Sequence, residues 1–312
     1  MRVAFQADPL DSLNPASDTS LLLIKEACAR GMKVFYYAPS HLRWQERSVY
    51  ATGAWLSWQD ETPLPQVQSH EDVLLSEMDV LWIRQNPPFD MAYLTPTYLL
   101  ETLPPKTLVL NDPKGLRDSP EKLLPLLFPD LMPPSLVTQD LEQAVYFLKE
   151  HVDVVLKPLY EFAGRGIVRF EKENDLRVWW EESSHKLASP VLLQQFLPEV
   201  FDGDRRLFLI DGQFVGGFNK RPAPQEFRAN LGLGGIAEPL VPSLKELAIC
   251  ERIGEDLRRR GLFFVGIDVV GGYLLEINAT SPTGVPAFNA LYKRALEQEL
   301  WDAIVRRKQG AQ

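Results

Sequence analysis

The residues with the clearest chemical potential lie near the C-terminal end, in Gly266-Ile-Asp-Val-Val-Gly-Gly-Tyr-Leu-Leu-Glu-Ile-Asn-Ala-Thr-Ser-Pro. Asp268 interrupts an otherwise apolar strand, where an unpaired carboxylate is costly to bury. Glu276 and Asn278 stand two apart on the next strand, so their side chains share a face. Two carboxylates and an amide oxygen suit Mg²⁺, whose shell phosphate oxygens then complete. A two-residue turn at Gly271-Gly272 would pair Asp268 with Leu275 and send Glu276 to the opposite face. A three-residue loop reaching Tyr273 would pair Asp268 with Glu276 and gather all three ligands; this second geometry is expected. A solvated acidic hairpin is the competing reading, and the apolar flanks weigh against it.

Two further groups could handle phosphate. Lys157 ends the apolar run Val154-Val-Leu-Lys and is followed by Pro-Leu-Tyr-Glu-Phe-Ala-Gly-Arg-Gly-Ile. Its point charge and the backbone N–H groups of Gly164 and Gly166 could cradle phosphate oxygens, although an ordinary hairpin turn explains the pattern equally well. Arg206 follows Asp202-Gly-Asp-Arg and precedes Leu-Phe-Leu. A planar guanidinium there could hold a phosphoryl group or a developing acyl phosphate. Arg221 and Arg228 lie in a loop-rich stretch, residues 221–242, that includes Asn230-Leu-Gly-Leu-Gly-Gly; each could equally be a surface charge.

These groups need positioning elements. Short apolar runs at residues 3–5, 34–37, 80–83 and 108–110 read as strands, and residues 19–30 as a helix stopped by Gly31. Alternation of this kind indicates a parallel α/β layer, with ligands at the carboxyl ends of its strands. The polar loops 8–18 and 84–90 follow two of those strands. Prolines at 113, 120, 125, 129, 133 and 134 mark a boundary. Beyond it come a helix (141–150) and strands at 154–157 and 167–170, a small α+β unit. Strands at 206–210 and 213–218 turn at Asp211-Gly212. An amphipathic helix (244–260), strands at 263–270 and 274–278 and a helix from residue 288 complete the chain. The expected divisions are residues 1–118, 119–198 and 199–312.

Composition narrows the function classes. The 312 residues are 45% hydrophobic and 24% charged, enough for two or three packed units. A net charge of −9 speaks against binding a nucleic-acid backbone. Cys28 and Cys250 are isolated, and His41, His70, His151 and His185 are scattered, so neither a zinc site nor a histidine-based triad has a framework. The N-terminus lacks the apolar core of a signal peptide, and no run approaches a membrane span. A cytoplasmic protein with no membrane association is expected.

Taken together, these segments resemble bacterial glutathione synthetase, an ATP-grasp ligase. The matching pieces run in order along nearly the whole chain. They are Asp8-Pro with the loop at residues 14–20, Arg84-Gln-Asn-Pro-Pro-Phe-Asp, Leu116-Arg-Asp-Ser-Pro-Glu-Lys-Leu, Leu156-Lys-Pro-Leu and Gln194-Gln-Phe-Leu-Pro, then Asp202-Gly-Asp-Arg-Arg, Arg228-Ala-Asn-Leu-Gly-Leu-Gly-Gly, and Phe264-Val-Gly-Ile-Asp through Glu276-Ile-Asn-Ala-Thr-Ser-Pro-Thr-Gly. The resemblance implies an α/β protein of ATP-grasp fold, with an N-terminal parallel α/β unit and two α+β units gripping ATP. It implies that Lys122 and Lys157 contact phosphates, that Gln195, Phe196 and Leu197 read adenine, and that Asp204 lies near the ribose. Arg206, with Arg228, would serve catalysis, and Asp268, Glu276 and Asn278 would hold Mg²⁺ or Mn²⁺. Asp8, Ser17, Arg84, Arg221, Asn230, Thr280 and Ser281 would face the substrates, γ-glutamylcysteine and glycine. ATP would activate the acceptor carboxylate as an acyl phosphate for attack by the amine. A homodimer or homotetramer is expected on the same ground.

The sequence departs from the family in places. Tyr160-Glu-Phe-Ala replaces a glycine-dense stretch after Lys-Pro-Leu, the loop from Arg221 carries Pro222 and Pro224 instead of paired glycines, and Ile236 stands where the family has an arginine. The segment 285–292 is shorter and more apolar than usual. A ligase for a different amino acid or peptide therefore stays open as the alternative, with a non-catalytic ATP-binding scaffold behind it.

Overall fold

The computed structural model describes residues 1–59, 62–183 and 189–310; His185 lies outside them. Three sheets organise it. The first contains β1 (Arg2–Gln6), β2 (Lys33–Tyr37), β3 (Leu42–Gln45), β4 (Ser48–Ser57), β5 (Gln66–Leu74), β6 (Val80–Ile83) and β7 (Leu108–Leu110). Strands β2, β1, β6 and β7 run parallel in that spatial order. Their residues are apolar almost throughout because both faces are covered. Helix α1 (Thr19–Ala29) begins where Asp18 accepts from the Leu21 N–H at 3.0 Å. Helices α2 (Met91–Leu100) and α3 (Pro113–Arg117) follow β6 and β7. The parallel layer is extended by an antiparallel meander, β3-β4-β5, which the sequence reading did not anticipate.

The second sheet, in the order β10-β9-β11-β8, is antiparallel: β8 (Ser135–Thr138), β9 (Val154–Pro158), β10 (Val168–Phe170) and β11 (Val191–Gln195). Helices α4 (Leu141–His151) and α5 (Glu173–Ser183) cover one face, through Val145, Leu148, Leu176 and Trp180. The third sheet is also antiparallel, in the order β14-β13-β12-β15-β16, from β12 (Asp204–Ile210), β13 (Gln213–Arg221), β14 (Ile236–Pro239), β15 (Phe264–Val270) and β16 (Tyr273–Asn278). Helix α6 (Leu244–Arg259) opens with a capping box between Ser243 and Glu246. The single terminal helix expected from residue 288 is in fact two, α7 (Val285–Tyr292) and α8 (Leu296–Gly310), separated where Lys293 takes a left-handed conformation.

Packing divides these sheets unevenly. The first and third share two hydrophobic cores, one joining Leu81 and Leu116 to Leu257 and Val265, the other joining Phe5 and Trp82 to Phe264 and Trp301. Trp301 on α8 meets Phe5 and Trp82 edge-on at 6.5 and 6.3 Å and donates its indole N–H to the Leu23 carbonyl. The Asn111 amide, just after β7, donates to the carbonyls of Phe264 and Ala279 and accepts from the Phe264 N–H. The second sheet keeps a core of its own. A base of two sheets thus carries a separately packed lid. Among the described residues no helix is long and apolar enough to cross a membrane.

Candidate active site

A cleft of about 700 Å³ opens where lid and base meet. Its floor is the third sheet. Arg206 on β12 lies directly opposite Asp268 on β15 and grips both carboxylate oxygens, at 2.7 and 3.0 Å. Gly266 leaves room beside this pair, since a Cβ there would sit 3.1 Å from the Arg206 Cδ and press the side chain aside by a few tenths of an ångström. Lys220 on β13 stands opposite Asp204 and bridges its carboxylate (2.8 Å) to that of Asp268 (3.0 Å). Burial pushes the Asp268 carboxyl up, but Arg206 and Lys220 outweigh it and hold the group below the usual carboxylate range. For Asp204 burial wins, with the Asp268 charge adding to it, and its carboxyl is pushed up to about 6. One Asp204 oxygen is buried with no hydrogen-bond partner among the described residues.

The ligand set on β15 and β16 gathers as expected, by a different device. Asp268 pairs with Glu276, and Gly266 with Asn278. The turn, however, is the two-residue Gly271-Gly272, both at positive φ as a type I′ hairpin demands. The expected three-residue loop is corrected to this turn followed by a bulge. After Val269 pairs with Leu274, Leu275 is the extra residue that resets the register before Glu276. Asn278 donates to Asp268 at 3.2 Å. Glu276 is half-buried and has no ionic or hydrogen-bond partner among the described residues. Two carboxylates and one amide oxygen, one carboxylate still unmatched, fit a hard divalent cation whose remaining ligands come from phosphate.

Lid residues form the roof. Lys157 is the penultimate residue of β9, is nearly fully buried and has no ion pair among the described residues; burial holds its ammonium below the usual lysine range, with Lys122 adding to the effect. Lys122, also buried, donates to the Glu161 carbonyl in the loop after β9. Gln195 ends β11, and Phe196 and Leu197 continue from it along the cleft wall. The far end belongs to the first sheet. Arg84 follows β6, is 3% exposed, donates to Ser20 (3.1 Å) and to the Pro282 carbonyl (2.9 Å), and meets no carboxylate among the described residues. Burial lowers its guanidinium to about 10. Asp8 accepts from the Asn86 amide at 2.7 Å, and Asn86 accepts from Ser281 at 2.6 Å. Thr280 donates to the half-buried Glu121 at 2.5 Å.

Of the residues singled out in the sequence, Asp8, Ser17, Arg84, Lys122, Lys157, Gly164, Gln195, Phe196, Leu197, Asp204, Arg206, Arg228, Asn230, Asp268, Glu276, Asn278, Thr280 and Ser281 all line this cleft. Gly166 and Arg221 do not. Gly166 turns the loop above Pro158. Arg221 is drawn away by Glu238 at 2.8 Å and the Phe201 carbonyl. Arg228 is held by Glu226 at 2.6 Å, and Asn230 donates to the Ala163 carbonyl at 2.8 Å. Lys220 was missed. Its signal was period two along β13: Phe218 and Lys220 share a face, and Asp204 pairs with Lys220 in a hairpin whose Asp-Gly turn was already visible.

Comparison with known proteins agrees with this arrangement. The prokaryotic glutathione synthetase N-terminal domain matches residues 1–117, and the prokaryotic glutathione synthetase ATP-grasp domain matches residues 121–293. A glutathione synthetase of Agrobacterium fabrum is 41% identical over 98% of this chain and 97% of its own length. One from Mesorhizobium japonicum is also 41% identical, over 97% and 98%. Among solved structures, D-cycloserine synthetase DcsG superposes with a TM-score of 0.69 at 16% identity, covering 99% of this chain and all of the other. The ATP-grasp ligase PsnB with its minimal precursor gives 0.65 at 20% identity, covering 98% of each. The fold is ATP-grasp, the chemistry is that of an ATP- and divalent-metal-dependent carboxylate–amine ligase, and this chain belongs to the prokaryotic glutathione synthetase family.

Proposed function

We propose that the chain condenses γ-glutamylcysteine with glycine, at the expense of ATP, to form glutathione, and that each named cleft residue acts in this reaction. The observation that carries the reading is that one cleft holds three charges with no ionic partner among the described residues: the carboxylate of Glu276, the ammonium of Lys157 and the guanidinium of Arg84. They complement, in turn, a divalent cation, a triphosphate and a substrate carboxylate.

Lys157 and Lys122 hold the phosphates, aided by the backbone around Gly164. Gln195, Phe196 and Leu197 read the base, and the orphan Asp204 oxygen accepts from a ribose hydroxyl. Asp268, Glu276 and Asn278 hold Mg²⁺, which neutralises phosphate charge when bound; Mn²⁺ is accepted by the same oxygens. Arg84, with Asp8, Ser17, Thr280 and Ser281, fixes the dipeptide. An oxygen of its cysteinyl carboxylate attacks the terminal phosphorus, and the bond to ADP breaks. Arg206, already beside Asp268, stabilises the charge that builds on the transferring group. The neutral glycine amine then attacks the acyl carbon, phosphate leaves with the carboxylate oxygen it had bonded, one proton passes from the nitrogen to the departing phosphate, and an amide remains. Arg228 and Asn230 hold the covering loop against the lid through Gly164 and Ala163. Divisions at residues 118 and 198 separate the substrate-binding unit, the lid and the metal-bearing unit. A cytoplasmic homodimer or homotetramer, with no membrane or nucleic-acid partner, is the assembly we assign. A reducing compartment suits the free thiols of Cys28 and Cys250.

The test is ADP release from ATP and Mg²⁺ with γ-glutamylcysteine and glycine, each omitted in turn, with product mass measured. ADP and glutathione appearing in equal amounts, only in the complete mixture, is the expected result. ATP binding without turnover would instead favour another acceptor, the reading to which Pro222, Pro224 and Ile236 point.

A further inference from the structure

A cation on the lid has no role so far. Arg165 sits between Gly164 and Gly166 in the loop after β9, lines the cleft, and has no ion pair or side-chain hydrogen bond among the described residues. Its guanidinium lies over the Phe162 ring, 4.5 Å from the centroid, so it is held against a flat partner instead of trailing in solvent. The loop is itself pinned. Arg165 N–H donates to the Phe162 carbonyl, and the preceding carbonyls, Ala163 and Gly164, accept from Asn230 and Arg228.

Most other cations of the cleft are committed. Arg206 and Lys220 are bound to carboxylates, Arg228 to Glu226, Lys122 to the Glu161 carbonyl, and Arg84 stands at the substrate end. Lys157 has no ion pair among the described residues and Lys122 keeps its charge and two further donors, so these two remain for the nucleotide. ATP with one divalent cation keeps a residual charge of about −2 spread over three phosphates, and neither lysine comes from the loop that arches over the cleft. The loop also carries few glycines, and thus few positions where bare backbone can approach phosphate closely.

We propose that Arg165 is a phosphate-positioning residue, supplying by side chain the charge that completes the triphosphate site, with Phe162 as the platform that orients it. This rests on the reading of the cleft as the ATP site, and its test needs no turnover.

The experiment is calorimetric titration of the ligand-free protein with Mg²⁺·ATP, ADP, AMP and adenosine, for the native chain and for Arg165→Ala, Arg165→Lys and Phe162→Leu. Arg165→Ala is expected to weaken ATP about five- to tenfold and AMP and adenosine less than about twofold, as for one charge-assisted contact in a partly solvated site. Arg165→Lys should recover part of the loss, and Phe162→Leu should weaken ATP about two- to threefold. Arg165 is exposed, so the ligand-free melting temperature should not change. Unaltered ATP affinity in Arg165→Ala would overturn the proposal. So would an equal loss for adenosine. Failure of the native chain to bind ATP would instead sink the reading of the cleft.

Discussion

Asp204 is an acid kept at a cost until ligand arrives, and replacing it isolates that cost. One of its oxygens is buried without a partner among the described residues, and burial pushes its carboxyl up to about 6, against 3.8 for a free aspartate, despite Lys220 at 2.8 Å. A folded-state pKa above the unfolded one means that the native state binds the proton more tightly. The penalty for folding with the charge is therefore fully present above about 6 and fades as pH falls toward 3.8. The difference of about two pKa units corresponds to roughly 3 kcal/mol. Asp204→Asn mimics the protonated form, and Lys220 keeps Asp268 as a partner. The variant should therefore be more stable than the native chain at pH 7.5 by roughly 3 kcal/mol, about half that at pH 5, and by nothing near pH 3. Thermal melts of ligand-free protein across that range read it, with roughly 5 °C expected at pH 7.5. The same variant should bind ATP a few-fold more weakly, a neutral amide oxygen having replaced the charged acceptor for the ribose. A destabilised Asp204→Asn at pH 7.5, or a stabilisation independent of pH, would refute the reasoning.

Three other outcomes are expected. Arg206→Met should cut kcat by about 10²–10³ while ATP affinity stays within a few-fold, because its charge matters most to the transferring group; single-turnover ADP formation separates the two. Glu276→Gln should raise the Mg²⁺ needed for half-maximal rate about tenfold or more, since one of two ligating carboxylates is lost, as a metal titration at saturating ATP would show. Arg84→Met should raise the dipeptide KM about ten- to a hundredfold with ATP affinity intact; an unchanged KM would mean that the buried guanidinium serves packing between Ser20 and Pro282 alone.

Much of this architecture was legible in the chain because the signals were local. Strands β6 and β7 were bounded correctly, since each is an apolar run between polar loops. Pairing of Asp268 with Glu276 was inferred from chemical need, while the means escaped: a bulge at Leu275 leaves no compositional mark, because leucine is at home in any strand. The β3-β4-β5 meander was missed for the opposite reason. Its strands carry Arg43, Gln45, His70, Glu71 and Asp72, and its polar face is held by cross-strand pairs such as Arg43 with Asp72. The alternation Val49, Ala51, Ala54, Leu56 along β4 is made largely of small residues and breaks phase at Gly53, so the apolar periodicity is weak. Arg221 looked like a substrate cation from its loop, and only the register of β13 with β14 reveals Glu238 beside it. The Asp268–Glu276 pairing could be read because a short turn joins its two strands, whereas a long loop separates β13 from β14 and leaves their register unmarked.

The seat of Trp301 sets an order of events during synthesis. The face of the first sheet that carries Phe5 and Trp82 is covered in part by Leu23, Ile24 and Ala27 of α1, but stays open beside that helix until Leu300, Trp301 and Ile304 of α8 are available to close it. The earliest strands to leave the ribosome are therefore among the last to be completed, separated from their closing partner by nearly the whole chain. The lid, whose core lies within one continuous stretch from Ala144 to Leu193, can collapse while the first sheet still waits. Nascent chains halted before residue 296 should therefore expose an apolar sheet face beside a finished lid, which makes that interval the one in which a chaperone has most to shield.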